Sequence, residues 1–377
     1  MASPTRRTHP LLAPRALNRA TLARQLLLHR GPDGRMSAEA AVEQVVGLQA
    51  QNVRPPYYAL AARLHAFRPQ ELSALMEARE AARMVTLRST IHTHTAADCL
   101  ALRPFVQPGG PDRELRMFLK RLDGVDLDRL TAVARELLTE QPRPVGELRQ
   151  ALLAHWPEAD PLALTTAARC LLPLVQATPR GLWGASGQVV LVPAEQWFGR
   201  PPAPAPAPET VVRRYLAAFG PASVKDMQTW SGLTGLRAAF ERLRPELLTF
   251  QDENGAELFD LPDAPRPDPA APAPPRFLAE YDNLLLSHAD RSRVMPEEFR
   301  RRTWKGNQPS SVFLTDGLVA GIWKLAESED TATLTVQPFV TLDRAQRTEL
   351  AEEGERLLTT MTRASARDVR FGVVADQ

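Results

Sequence analysis

Lysine is nearly absent from this chain. Of its 46 basic residues only Lys120, Lys225, Lys305 and Lys324 are lysine, so arginine carries almost all the positive charge. Cysteine is equally scarce, with Cys99 and Cys170 each set among apolar residues, which excludes a disulfide framework and points to two reduced core thiols. No apolar run is long enough to cross a bilayer, and the first ten residues carry Arg6 and Arg7 without the apolar stretch of a leader, so a cytoplasmic protein without membrane contact is expected. Gly-rich phosphate loops, paired-cysteine motifs and Gly-x-Ser-x-Gly elbows are also missing, which removes the commonest nucleotide, redox and hydrolase signatures. His92-Thr93-His94 would set two imidazoles on one side of a strand, but no third ligand stands at a recognisable spacing. No metal and no cofactor are expected.

What remains is an ordinary globular composition, 44% hydrophobic and 24% charged over 377 residues, enough for about two to four domains. The net charge is only +2, yet it is unevenly placed: residues 1–120 carry 17 basic against 9 acidic side chains, and residues 121–377 carry 29 against 35. A GC-rich coding sequence accounts for the arginine bias, because it favours arginine, alanine and proline codons. It does not account for the asymmetry. A basic N-terminal lobe of arginines, whose planar forks suit phosphates, is the footprint expected of a nucleic-acid-facing surface.

Two proline–alanine stretches, residues 201–208 and 262–275, favour extended polyproline geometry and divide the chain. Between them the periodicity gives helices near 209–219, 223–230 and 236–243, then two strands joined through Asp252-Glu253-Asn254-Gly255, the order of a winged helix. The same order recurs at 128–192, and a longer copy is expected at 18–95, with helices at 21–28, 38–48, 56–64 and 69–78 before an extended 84–92. Beyond residue 276 strand-like runs dominate, with one helix at about 343–361. The expected fold is α+β and helix-rich: three tandem winged-helix units at 1–120, 121–205 and 206–275, then a small β-rich, barrel-like domain at 276–377.

Gln49-Ala50-Gln51 is the most informative spot. It follows the amphipathic stretch that puts Ala41, Val45 and Leu48 on one stripe, and it precedes the helix-stopping Arg54-Pro55-Pro56. If the helix ends near Leu48, residues two apart in the extended segment share a side, and both amides face one place. Two neutral amides can hold one water molecule or one base edge without carrying charge. The plainer alternative is a pair of solvated glutamines at a helix end. A second dense cluster, Asp282, Asn283, His288, Asp290 and Arg291 around Leu284-Leu285-Leu286, has the composition of a turn network and is a candidate support for the site.

Four ordered segments resemble the AlkZ/YcaQ family of winged-helix DNA glycosylases: Leu48-Gln49-Ala50-Gln51, Leu87-Arg88-Ser89-Thr90-Ile91-His92, the stretch from Arg214 to Ser223, and Tyr281 to Arg291. The resemblance spans nearly the whole chain. It implies excision of alkylated bases and unhooking of interstrand crosslinks, with Gln49 and Gln51 as the Gln-x-Gln catalytic element. Arg54, Arg63, Arg83, Arg88 and His92 then become the nearest candidates for contacting DNA, and duplex DNA carrying alkylated or crosslinked bases the expected partner of a monomeric, nucleoid-associated enzyme. No lysine lies near the glutamines, so a lyase working through a Schiff base is not expected. The alternative from another class is a non-catalytic winged-helix DNA-binding protein or transcriptional regulator.

Overall fold

The structure, a computed structural model, describes residues 9–374 apart from Asp33 and Asn307, so the sequence-level pair Arg6 and Arg7 lies outside the described residues. The fold is α+β and helix-rich. None of the described helices is long and apolar enough to cross a membrane.

The N-terminal helix Pro14–Arg24 begins with a proline at its first position, where the missing N–H costs nothing. It is a wedge between downstream parts of the chain. Arg24 and Asp260 pair with both side chains fully buried, and Arg19 and Arg15 both meet Asp316. Arg30 pairs with Glu353, and Arg63 with Asp282, again in full burial. Five arginines of the basic N-terminal region thus spend their charge on carboxylates from the acidic remainder of the chain. The charge asymmetry is in part internal complementarity, which corrects its simple reading as an outward-facing footprint.

The strands of the first two expected units do not form separate wings. Ala81–Val85 and Ile91–Thr95 join Leu174–Gln176, Val190–Pro193, Arg143–Pro144 and Leu48–Gln49 in one six-stranded antiparallel sheet. Arg83 faces Gln176 across the seam. A free edge strand is a pairing liability, and joining the two edges removes it. The third segment keeps the order read from sequence: helices Pro208–Phe219, Val224–Ser231 and Arg237–Leu243, then the hairpin Leu248–Gln251 and Glu257–Asp260. Gly255 takes φ of 80° in its turn, as the Asn-Gly signal requires.

The C-terminal region is an open sheet, not a barrel. Its five strands run in the order Ala366–Phe371, Thr331–Pro338, Leu318–Glu327, Val312–Thr315 and Arg276–Leu278, the first pair parallel through the crossover helix Arg344–Met361. Closure is unnecessary because the apolar face, with Phe277, Phe313, Trp323, Leu334 and Val336, is already covered by Leu350, Leu357 and Leu358 of that helix and by Tyr57, Tyr58 and Leu60 of the helix Pro55–Arg63. The N-terminal region and the final sheet therefore share one core.

The buried Arg63–Asp282 pair generates a stability prediction. Arg63→Met should destabilise the protein by about 3–5 kcal/mol, because an isolated carboxylate stays behind, whereas Arg63→Met with Asp282→Leu should recover most of the loss. Urea unfolding of the two variants checks this, and equal losses in both would contradict it.

Candidate active site

Ser37 opens the helix Ala38–Gln44 by accepting the Ala40 amide on its hydroxyl. The helix stops four residues before the expected Leu48. Val46 and Gly47 turn left-handed, at φ of 56° and 85°, and redirect the chain into a short strand. Two contacts impose the turn. Asn283 Nδ2 donates to the carbonyls of both Val45 and Gly47, at 3.1 and 2.6 Å, and the His94 ring occupies the space where a Cβ on residue 47 would sit, 2.1 Å from its Nδ1. Only glycine fits that position. A β-branched valine at positive φ is strained, and Arg88, Ser89 and Tyr281 share that backbone region.

Leu48 and Gln49 pair with Thr93 and His92, the Ala50 amide donates to the Ile91 carbonyl at 2.7 Å, and the Ala50 carbonyl accepts from Arg83 Nη2 at 2.8 Å. The backbone is thus held by the neighbouring strand and by Arg83 through Ala50, which is itself fully buried. Gln49 ends this strand and Gln51 follows in a bend two residues on. Gln49 is 7% exposed and Gln51 is exposed to solvent, so one amide is fixed and the other makes no side-chain hydrogen bond among the described residues. Arg88 fixes the first: its Nη2 donates to Gln49 Oε1 at 3.0 Å while its Nη1 donates to the Trp230 carbonyl. Just beyond, Asn52 donates to one Glu280 oxygen at 2.5 Å and Gln308 to the other at 2.6 Å, tying the loop to the hairpin formed by Trp304–Lys305 and Gln308–Pro309.

The other candidates separate into distinct roles. Arg54 is exposed, its guanidinium 5.9 Å from the Trp183 ring, and remains available to a ligand. Arg63 and Arg83 do not: Arg63 is spent on Asp282, and Arg83 is 1% exposed beneath Ala50. Burial, with the Arg180 charge second, pushes the Arg83 guanidinium down to about 10. Both are framework residues, which corrects their expectation as phosphate contacts. Burial and then the Arg291 charge likewise push Arg88 down to about 10. His92 is buried against Arg88 and stacks on His94 at 5.5 Å between centroids, with its Nε2 lacking a protein partner.

In the second cluster, Asp282 and Asn283 are structural clamps on Arg63 and on the turn before Gln49. His288 Nε2 meets the carbonyl of Phe219, the last residue of the helix Pro208–Phe219, at 2.9 Å, and the exposed Asp290 accepts the Ser292 amide. Arg291 is half-buried; its carbonyl accepts the Val294 and Met295 amides, and its side chain makes no hydrogen bond or ion pair among the described residues. The sequence signal for this clamp was polarity flanking three leucines. The Glu280 tie and the Arg88 grip on Gln49 escaped it, because both join residues far apart in the chain.

Three histidines make stability pH-dependent. Burial drives His92 well below its usual value, His94 down to about 4 and His288 to about 3. Below the ordinary histidine range of about 6.5 the unfolded chain binds protons that the folded chain refuses, so stability is complete above that range and is lost as the pH falls toward about 4. The Tm should drop across this interval, and the drop should be smaller in a His288→Asn variant. A Tm independent of pH would contradict the assignment.

Comparison with known proteins agrees with the helix-rich α+β fold. The profile of the family described as DNA glycosylase AlkZ-like matches residues 42–360, a span that contains the Gln49 strand, Arg88, and the Asp282–Asn283 clamp. A curated relative, the interstrand DNA cross-link repair glycosylase of Streptomyces sahachiroi, is 31% identical over 166 residues, covering 41% of this chain and 43% of that protein. The solved structure of Streptomyces sahachiroi DNA glycosylase AlkZ aligns with a TM-score of 0.80 at 21% identity, covering 96% of this chain and 100% of that one. At that identity the structural likeness shows the fold, and the family profile carries the assignment: the chain belongs to the AlkZ-like DNA glycosylase family.

Proposed function

We propose that this chain is a monofunctional DNA glycosylase that hydrolyses the N-glycosidic bond of cationic N7-alkylpurines in duplex DNA, unhooks interstrand crosslinks built on such bases, and uses a water molecule held by Gln49 and Gln51. The observation that carries this is the strand Leu48–Gln49 anchored on Ile91–Thr95, with the Gln49 amide buried and held by Arg88 and Gln51 exposed two residues on. An N7-alkylated purine already bears the positive charge that makes it a good leaving group. Water adds to C1′ as the C1′–N9 bond breaks, the bonding electrons neutralise the base, and the water proton passes to solvent. Little base catalysis is needed, so orientation and amide dipoles supply most of the acceleration. Interstrand cross-link repair is the activity in the printed name of the curated relative, and unhooking such crosslinks is extended to this chain as part of the proposal.

The surroundings suit this role. Arg54 stands three residues beyond Gln51 and is open to a phosphate, and Arg88, Arg113 and Lys225 line a cleft of about 650 Å³ between the 109–117 segment and the turn after Ser231. The organisation we propose keeps three helical units of winged-helix type at 1–120, 121–205 and 206–275 and the sheet region at 276–377, acting as a monomer on DNA.

Base release, variant kinetics and the pH profile test the proposal. Duplex DNA containing N7-methylguanine, incubated with the protein and treated with hot alkali, should be cut at the lesion, and without alkali it should stay intact. Gln49→Ala and Gln51→Ala should each slow excision by roughly 10²–10³-fold while keeping affinity for lesion DNA. Wild-type rates in both variants would remove the site from the mechanism. The rate should also be flat from about pH 6 to 8, because the amides do not titrate and His92 stays neutral, and uracil should remain in place. Efficient uracil release, or a bell-shaped profile, would point to a carboxylate or histidine base instead.

A further inference from the structure

Arginine has only donors, so whichever Gln49 atom faces Arg88 must be the carbonyl oxygen. The orientation of this amide is therefore dictated by its partner. Gln49 Nε2 makes no hydrogen bond within the described residues and is not among the enclosed polar atoms that lack one, so it remains open toward the site. Arg88 is itself held. Its Nη1 is anchored on the Trp230 carbonyl in the last turn of the helix Val224–Ser231, its backbone is left-handed at φ of 54°, and the next residue but one after Trp230, Gly232, packs so close that an added Cβ would lie 3.3 Å from Arg88 Cα. Among the described residues none of its partners is a carboxylate. Both its forks go to neutral oxygens, as befits a device for aiming a dipole. Pairing with an acid would instead neutralise the charge.

We propose that Arg88 is the positioning residue of this site: anchored on the Trp230 carbonyl, it holds Gln49 Oε1 and so turns the Gln49 NH2 group toward the reacting water, making Gln49 the donor and Gln51 the acceptor of the pair. This rests on the glycosylase reading above and assigns opposite roles to its two amides. A water that accepts from Gln49 Nε2 and donates to Gln51 Oε1 keeps one lone pair for C1′. As the new C1′–O bond forms, the proton already aimed at Gln51 leaves to solvent by that path. The guanidinium withdraws electrons from the Gln49 carbonyl and strengthens its N–H donors. It also links the catalytic strand to the helix and turn at 224–235, so an amide far from that segment in sequence is aimed by it.

The decisive variant is Gln49→Glu. The new carboxylate can pair with Arg88, so the Tm should hold or rise, but the donors are gone, and excision of N7-methylguanine should fall to the level of Gln49→Ala. Excision at or above the wild-type rate would show residue 49 acting as an acceptor and overturn the proposal. Arg88→Met should lower kcat by roughly 10-fold or more while KM and the affinity for lesion DNA change less than about 2-fold, with partial recovery in Arg88→Lys. A loss confined to affinity would make Arg88 a phosphate contact and refute the positioning role. Because the two groups act as one unit, Gln49→Ala should add little in the Arg88→Met background, and Tm values of the four proteins in that cycle should be non-additive too. The thermal cycle needs no substrate. Base release absent from the wild-type protein would refute the glycosylase reading, whereas additive Tm values would refute the Arg88–Gln49 coupling itself.

Discussion

A carboxylate with no solvent access must be met by a cation, and in this protein that requirement joins the two ends of the chain. Asp282 and Arg63 are both fully buried and bonded through two parallel contacts of 2.7 and 2.8 Å. The neighbouring Asn283 then reaches the carbonyls of Val45 and Gly47, so the same short segment that neutralises Arg63 also sets the turn from which the Gln49 strand departs. Loss of the pair would leave a buried charge and release the turn at once. Stability and site geometry are coupled here through adjacent side chains.

The wider electrostatics follow the same pattern. The N-terminal arginines meet Asp260, Asp282, Asp316 and Glu353, acids that lie at least two hundred residues later. Such contacts close the long loop between the first helix and the final sheet, and they explain why the apolar cores cross the divisions suggested by proline-rich segments. The sheet tells a similar story, since the strands of the first two segments complete each other's edges. The cationic surface left for a ligand is correspondingly smaller than the composition suggests; Arg54 lines one cleft beside Trp183, and Arg113 and Lys225 line another.

Much of the local structure was legible. The helices between 128 and 243, the Asn254-Gly255 hairpin and the helix Arg344–Met361 follow from periodicity, caps and turn residues, because those signals act within a few residues. The helix before Gln49 was read too long. Val45, Leu48 and Ala41 do make a helical stripe, and local periodicity carries no information about an asparagine more than two hundred residues away that captures two of the backbone carbonyls.

The sequence by itself determined the helix-rich α+β class, the proline-marked divisions, and the pair of glutamines placed two apart before a helix-breaking Arg-Pro-Pro. Each is fixed by the covalent order of side chains with strong local preferences. Only the tertiary structure decided that the final sheet stays open under its helix and that Arg63 and Arg83 are framework residues. It also decided that Gln49 is gripped by Arg88 while Gln51 is free. These outcomes depend on which charges and carbonyls meet when distant segments pack, and buried charge must find its partner wherever in the chain that partner lies.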